Sequence, residues 1–332
     1  MQINRRKLLA KAVVAMAGIA APSIIRAQTR GVPPSSRDRL EQALARIADP
    51  NGEGKRACLT VYTETARAAA DAADARARNG ISLGPLDGKI VSIKDLFDVV
   101  GEPTRAGSTI LANAPPAAED APVVRRLRAA GAVIVAKTNM PEFAYSIFGY
   151  NPHYGTPGNP ADRARDPGGS SSGAAVAVTD GMCEVGIGSD TGGSCRAPAA
   201  FCGTVGYKPS KYRVPTEGVF PLSYTMDSIG ALAKTVADCA AADAVMAGEE
   251  PWSLSPASLL GLRLVIPQGN PLADLDATVS ARFSEATAAL RRAGARLSEE
   301  NIPLVDGFNS RDEKIYTMES YALKSDEFTS VL

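Results

Sequence analysis

Residues 166–178 read DPGGSSSGAAVAV, and residues 188–203 read GSDTGGSCRAPAAFCG. Two glycine- and serine-rich stretches so close together ask for a chemical reason. Glycine admits positive φ and lets a ligand approach backbone amides. Serine supplies hydroxyls that act either as nucleophiles or as turn formers. Which of these applies depends on the partners that the rest of the chain can supply.

Several chemistries fail at their functional residues. Gly168 to Gly173 has phosphate-loop spacing, but Ala174 and Ala175 stand where Lys and Ser/Thr must reach phosphate and magnesium. GIGSDTG, residues 186–192, places its third glycine one residue late for a dinucleotide fingerprint. GSSSG, residues 169–173, has the hydrolase-elbow pattern around Ser171, yet a proline-rich loop precedes it and no histidine follows. The chain of 332 residues holds one histidine, His153, so polyhistidine metal sites are excluded, and its position upstream of both serine-rich stretches speaks against a histidine-based serine triad of the elbow type. His153 reads as a loop residue. No SxxK occurs, so a serine base must be a lysine or carboxylate distant in sequence. Lys94, inside IVSIKDLF, is the leading candidate. A lysine among apolar residues loses its charge more readily, because burial disfavours the ammonium; the rival reading is a lysine snorkelling from a strand end.

Composition narrows the field further. Hydrophobic residues make up 45% and charged residues 22% of the chain, and the formal net charge is zero. A sizeable core is therefore expected, without an electrostatic case for nucleic acid or an anionic membrane as partner. The five cysteines (58, 183, 195, 202 and 239) form no CxxC pair and read as buried thiols.

The N-terminus carries Arg5, Arg6, Lys7 and Lys11 ahead of an apolar run from Ala12 to Ile25, too short for a comfortable span. Residues 1–27 therefore read as a signal peptide of twin-arginine type with a cleavage site at Ala27, which implies a periplasmic location. The rest, 28–332, reads as one domain. Ser-capped apolar spacing at Leu40, Leu44 and Ile47 predicts a helix, as does the Ala-rich stretch ending at Asn79-Gly80. KIVSIKD predicts a strand. DAPVVRRLRAAGAVIVAKT predicts an Asp cap, a helix stopped at Gly131, and a strand over Val133 to Ala136. The same alternation recurs at GLRLVIP and DATVSARFSEATAALRRAGARL, which points to an α/β layered sheet. Residues 309–332 read as a helix carrying Ile315, Met318, Tyr321, Ala322 and Phe328.

Taken together, GPLDGKIVSIKDLFDVVGEPTRAGS, AKTNMPEFAYS, NPHYGTPGNP, DPGGSSSGAAVAV, GSDTGGSCRAPAAFCGTVGYKPS and TMDSIGALAKTVAD resemble the amidase signature family. The resemblance is densest over residues 84–248. It implies an α/β/α sandwich around a mixed twisted sheet, and amide hydrolysis through an acyl-serine by a Ser–Ser–Lys triad. By position, Ser194 would be the nucleophile, Ser170 the bridging serine after a cis Gly169-Ser170 peptide, and Lys94 the base. The amides of Thr191, Gly192, Gly193 and Ser194 would form the oxyanion hole. Asp190 and Arg196 read as a supporting ion pair, with Arg196 as a substrate-carboxylate clamp the alternative; Ser171 and Ser172 read as scaffold hydroxyls.

The resemblance implies neither metal nor organic cofactor. The expected partner is a small-molecule amide, with no nucleic acid and no stable membrane insertion, and a homodimer is left open. Two departures stand out. Ile90-Val91 replace the proline that usually precedes the lysine, and family members continue beyond residue 332. The C-terminal part of the sheet is therefore expected to be missing. The principal reading is an exported amidase. The alternatives are the catalytic subunit of a tRNA-dependent amidotransferase and an inactive truncated remnant.

Overall fold

The computed structural model describes residues 34–250, 255–269, 272–306, 315, 317–320 and 322. The expected signal segment, residues 1–27, lies outside them. Helix α1 (Ser36–Ala48) opens on a capping box in which Ser35 Oγ accepts the Asp38 amide and the Asp38 carboxylate accepts the Ser35 amide. It buries Leu40, Ala43 and Ile47, matching most of the predicted apolar face. A short helix α2 (Gly54–Ala57) leads into strand β1 (Cys58–Val61). Helix α3 (Thr63–Arg78) follows, burying Ala66, Ala70 and Ala73, with Asn79 as its C-cap.

Strand β2 (Ile90–Lys94) is buried along its whole length. Helix α4 (Pro122–Ala129) precedes strand β3 (Val133–Thr138). The expected Asp cap is displaced. Ala121 is the N-cap, Pro122 opens the helix, and Asp120 instead accepts the Val100 amide at 2.9 Å and pairs with Arg128 at 3.0 Å. Proline in the first turn forfeits only an amide that has no partner there.

Helix α5 (Ser172–Thr179) and strand β4 (Val185–Asp190) lie between and within the two glycine-rich stretches. Helix α6 (Arg196–Cys202) and strands β5 (Val205–Tyr207) and β6 (Ser228–Ala233) follow, then helix α7 (Val236–Ala247). The sheet order is β1-β3-β2-β4-β6-β5. β3, β2 and β4 run parallel, while β1, β6 and β5 pair antiparallel with their neighbours.

The alternation of side chains across the sheet explains its two apolar layers. Val91, Ile93, Ile134, Val185 and Ile187 pack with Val124 and Leu127 of α4 and Ala242 and Met246 of α7. Ile90, Val133 and Val135 pack on the other side with Leu40 of α1, Ala70 of α3 and the Ala174–Val178 run of α5. Helices on both faces of a mixed sheet make the α/β/α layering that the resemblance implied.

Strand β7 (Arg263–Gln268), helix α8 (Ala277–Arg292) and strand β8 (Arg296–Asn301) form as strands and helix, but β7 and β8 pair with each other in a separate two-stranded parallel sheet. They do not extend the six-stranded sheet. Near the end of the chain, residues 315, 317–320 and 322 are helical, and the remainder of the predicted C-terminal helix lies outside the described residues.

All five cysteines are buried and free. Burial pushes Cys183, Cys195, Cys202 and Cys239 up to about 12, and Cys58 also upward. No helix among the described residues is long and apolar enough to cross a membrane.

Candidate active site

Three segments converge at one end of the central strands. β2 ends on Lys94 and β4 ends on Asp190, and these strands are parallel neighbours. The turn before α5 delivers Ser170, and the turn between β4 and α6 delivers Ser194. Helix α5 can lie close against β4 because residue 188 is glycine: a Cβ there would sit 2.4 Å from Ser171 Oγ and 3.0 Å from Cys195 Sγ. The Gly169-Ser170 peptide is cis, and the Gly169 amide donates to the Ile147 carbonyl at 2.7 Å.

Lys94 is fully buried. Its Nζ donates to Ser170 Oγ at 2.7 Å and to Ser189 Oγ at 2.9 Å. The snorkelling alternative is therefore excluded. Burial lowers the ammonium from its ordinary 10.5 to about 8, against the opposing pull of the Asp227 and Asp190 carboxylates. That displacement costs the folded chain about 3 kcal/mol when the lysine is charged. Burying Ile90, Val91 and Ile93 on the same strand contributes roughly 2 kcal/mol apiece, so the strand as a whole still favours the fold.

Ser194 lies on a cavity of about 220 Å³ lined by Ala144, Tyr145, Ser146, Ile147, Thr191, Gly192 and Leu222. Its carbonyl accepts the Ser171 amide at 3.1 Å, which ties the two serine-bearing turns together through backbone. No hydrogen bond among the described residues joins Ser194 Oγ to Ser170 Oγ.

Asp190 organises the loop that carries Ser194. Its buried carboxylate accepts the amides of Gly193 (2.7 Å), Cys195 (3.0 Å) and Arg196 (3.3 Å), and two guanidinium bonds from Arg196 at 3.0 and 2.9 Å. Burial alone would push this carboxyl up, but the Arg196 bonds and the amides outweigh it and hold it below the usual carboxylate value. The Asp190–Arg196 ion pair predicted from the sequence is thus present. Gly193 adopts φ +135°, a conformation that side-chain-bearing residues avoid. Its amide faces Asp190, not the cavity, so the oxyanion-hole expectation for Gly193 requires correction. No described hydrogen bond engages the N–H groups of Thr191, Gly192 or Ser194.

His153 sits in a turn, bonded to Glu142 at 2.9 Å and to Thr109 at 3.5 Å, and lines no part of the cavity. Ser171 and Ser172 donate to the carbonyls of Ser189 and Asn139. Two residues passed over in the sequence emerge here. Ser189 gives Lys94 a second hydroxyl, and Asp227 accepts Thr191 Oγ1 at 2.5 Å. Ser189 carried a signal, two positions before a conspicuous Thr-Gly-Gly-Ser turn; Asp227, in the stretch TMDS, carried none that chemistry alone would single out. Among the described residues no group of three or more His, Cys, Asp or Glu is placed to hold a metal ion.

Comparison with known proteins bears on the family and the fold. The family model described as Amidase matches residues 38–330. A glutamyl-tRNA(Gln) amidotransferase subunit from Anaeromyxobacter dehalogenans (strain 2CP-C) is 42% identical over 300 residues, covering 86% of this chain and 58% of that protein. AtzE, a 1-carboxybiuret hydrolase subunit from Pseudomonas sp. (strain ADP), is 44% identical over 218 residues, 65% of this chain and 47% of that one. The solved native peptide amidase from Stenotrophomonas maltophilia superimposes with a TM-score of 0.77 at 33% identity, covering 87% of this chain and 63% of that chain. The chain thus spans about half the length of the curated relatives it matches. With nearly its whole length matched, and with the lysine and serines brought together at the ends of β2 and β4, the chain belongs to the amidase family.

Proposed function

We propose that the protein hydrolyses a small carboxylic amide to an acid plus ammonia or an amine through an acyl-serine at Ser194. The observation that carries this reading is the 2.7 Å bond between a fully buried Lys94 and Ser170, beside a cavity on which Ser194 lies. Neutral Lys94 takes the proton of Ser170, and Ser170 takes that of Ser194 as Ser194 Oγ attacks the amide carbonyl. This step needs the Ser194 hydroxyl to turn toward Ser170 once substrate is seated. The N–H groups of Thr191, Gly192 and Ser194 would stabilise the oxyanion. The proton then returns through Ser170 to the leaving nitrogen, and water releases the acid from Ser194. The apolar side chains of Ala144, Ile147 and Leu222 favour an uncharged acyl group.

The test is hydrolysis of a panel of aliphatic, aromatic and carboxylated amides by the protein and by Ser194→Ala, with ammonia release as the readout. Equal rates for the two would refute the assignment. The likeness to the glutamyl-tRNA(Gln) amidotransferase supports a second reading, in which the chain is a component of such an enzyme. Hydrolysis of a simple amide by the isolated chain favours the first. Export to the periplasm rests on Arg5-Arg6 ahead of the apolar run from Ala12 to Ile25. Replacing both arginines by lysine should leave precursor in the cytoplasm, and normal periplasmic accumulation would overturn this part. Association into a homodimer is readable by light scattering.

A further inference from the structure

Two residues that line the cavity, Tyr145 and Leu222, adjoin contacts made by the helical residues near 320. The Tyr145 hydroxyl donates to Thr317 Oγ1 at 3.1 Å. Next to Leu222, the Ser223 hydroxyl donates to the Glu319 carboxylate, Thr225 Oγ1 donates to it at 2.6 Å, and the Thr225 amide approaches it at 3.4 Å. Three donors from one short turn therefore converge on one carboxylate almost a hundred residues away in sequence. Burial would raise that carboxyl, but the Ser223 and Thr225 bonds and the nearby Lys211 ammonium outweigh it and keep Glu319 ionised at neutral pH.

The turn they clamp is joined to the nucleophile loop through Asp227. Asp227 closes it, donating its amide to the Ser223 carbonyl at 2.9 Å and accepting the Leu222 and Ser223 amides at 2.8 and 3.0 Å on one carboxylate oxygen. The other oxygen accepts Thr191 Oγ1 at 2.5 Å. Thr191 is the first residue after β4 and borders the cavity beside Ser194. A continuous set of short bonds thus runs from Glu319 through the 222–227 turn and Asp227 to Thr191. Charge-assisted bonds of this kind are roughly twice as strong as neutral ones, so the Glu319 carboxylate contributes to seating the turn alongside Asp227 and the Lys211 ammonium, which donates to the Tyr224 and Asp227 carbonyls at 2.8 Å.

We infer that Glu319 is a positioning residue, which sets the 222–227 turn and through Asp227 fixes the loop carrying Thr191 and Ser194. Its consequence for catalysis rests on the amide-hydrolysis reading above. Seating of the C-terminal helical residues and geometry of the nucleophile loop are then one event.

The test compares the full chain with Glu319→Gln, Glu319→Asp and Met318→Ala, the last altering a neighbouring side chain that is 72% exposed. Two quantities are read: the rate at which an alkyl fluorophosphonate labels Ser194, by intact mass, and hydrogen–deuterium exchange of the amides in 190–195 and 222–227. Glu319→Gln is expected to slow labelling at least tenfold and to speed exchange in both segments at least fivefold. Glu319→Asp, which keeps the charge, should fall between Gln and the parent, and Met318→Ala should match the parent. Exchange in 190–195 unchanged by Glu319→Gln, even with a lower melting temperature, would overturn the proposal, since Glu319 would then seat only its own helix. If the parent Ser194 takes no phosphonate, the nucleophile assignment fails, while exchange in 190–195 still decides the role of Glu319.

Discussion

Neutral Lys94 is the form that accepts a proton, so the rate should follow its deprotonated fraction. With the ammonium lowered to about 8 by burial, that fraction rises from about 9% at pH 7 to about 91% at pH 9, roughly tenfold. A lysine at its ordinary 10.5 would instead gain about a hundredfold over the same interval, because it would still be mostly charged at pH 9. The assay is kcat/KM for a chromogenic anilide between pH 6 and 10. A hundredfold rise, or no rise at all, between pH 7 and 9 would refute the buried-base argument. The same displacement has a stability side. Between about pH 8 and about 10.4 the unfolded chain holds a proton that the folded chain has released, so stability increases with pH across that window. At pH 7 the full cost, about 3 kcal/mol, is carried. Lys94→Met removes it, but the Ser170 and Ser189 hydroxyls lose their donor, which returns about 1–2 kcal/mol. The variant should be inactive yet at least as stable as the parent at pH 7 in urea, with its advantage gone by pH 10.5. A loss of more than about 2 kcal/mol at pH 7 would contradict that balance.

Asp190→Asn should cost about 2 kcal/mol in urea melts and lower kcat, because the amide group cannot accept from Arg196 and from three backbone amides at once. Since the folded Asp190 carboxyl lies below its unfolded value, its contribution is present above about pH 4 and is lost as the pH falls through the folded value. His153→Ala should leave kcat/KM within about twofold and stability within about 1 kcal/mol, as expected for an exposed turn residue. Gly188→Ala should destabilise by about 1–3 kcal/mol, because its methyl group would displace the Ser171 hydroxyl from the Ser189 carbonyl; an unchanged melting curve would show that the α5–β4 approach is looser than described.

Lys94 was legible from its own chemistry, as a lysine among apolar residues in a chain without a usable histidine. Ser170 and Ser194 were assigned instead by the resemblance of their stretches to the amidase signature. Elements buried on every side were harder to read. α5 has no polar face, since Ser172 through Val178 are all buried, so its helical period is invisible and the stretch looks like loop. β6, SIGALA, is buried at all six positions and shows no alternation for the same reason. The separate pairing of β7 with β8 was hidden because a strand's sequence does not name its partner. Ser189 and Asp227 acquire their roles only when β4 and the 222–227 turn arrive beside Lys94 and Thr191. The direction of the Gly193 amide depends on a backbone angle, which the letters of the Gly-Gly pair leave free.

The five enclosed thiols make the chain its own clock. A thiol at its ordinary value near 8.5 is about 3% thiolate at pH 7, whereas one at about 12 is ionised to about one part in 100,000. Because the thiolate is the reacting species, its scarcity slows alkylation or oxidation of the closed fold before steric shielding is counted. Modification therefore waits for opening and reports when each region comes apart. Cys195, next to Ser194 and 4.0 Å from Ser171 Oγ, times the nucleophile loop. Cys58 on the edge strand β1 times the sheet margin, and Cys239 times the departure of α7. Without any added label, the order in which these sulfurs react with iodoacetamide gives the order in which the layers separate.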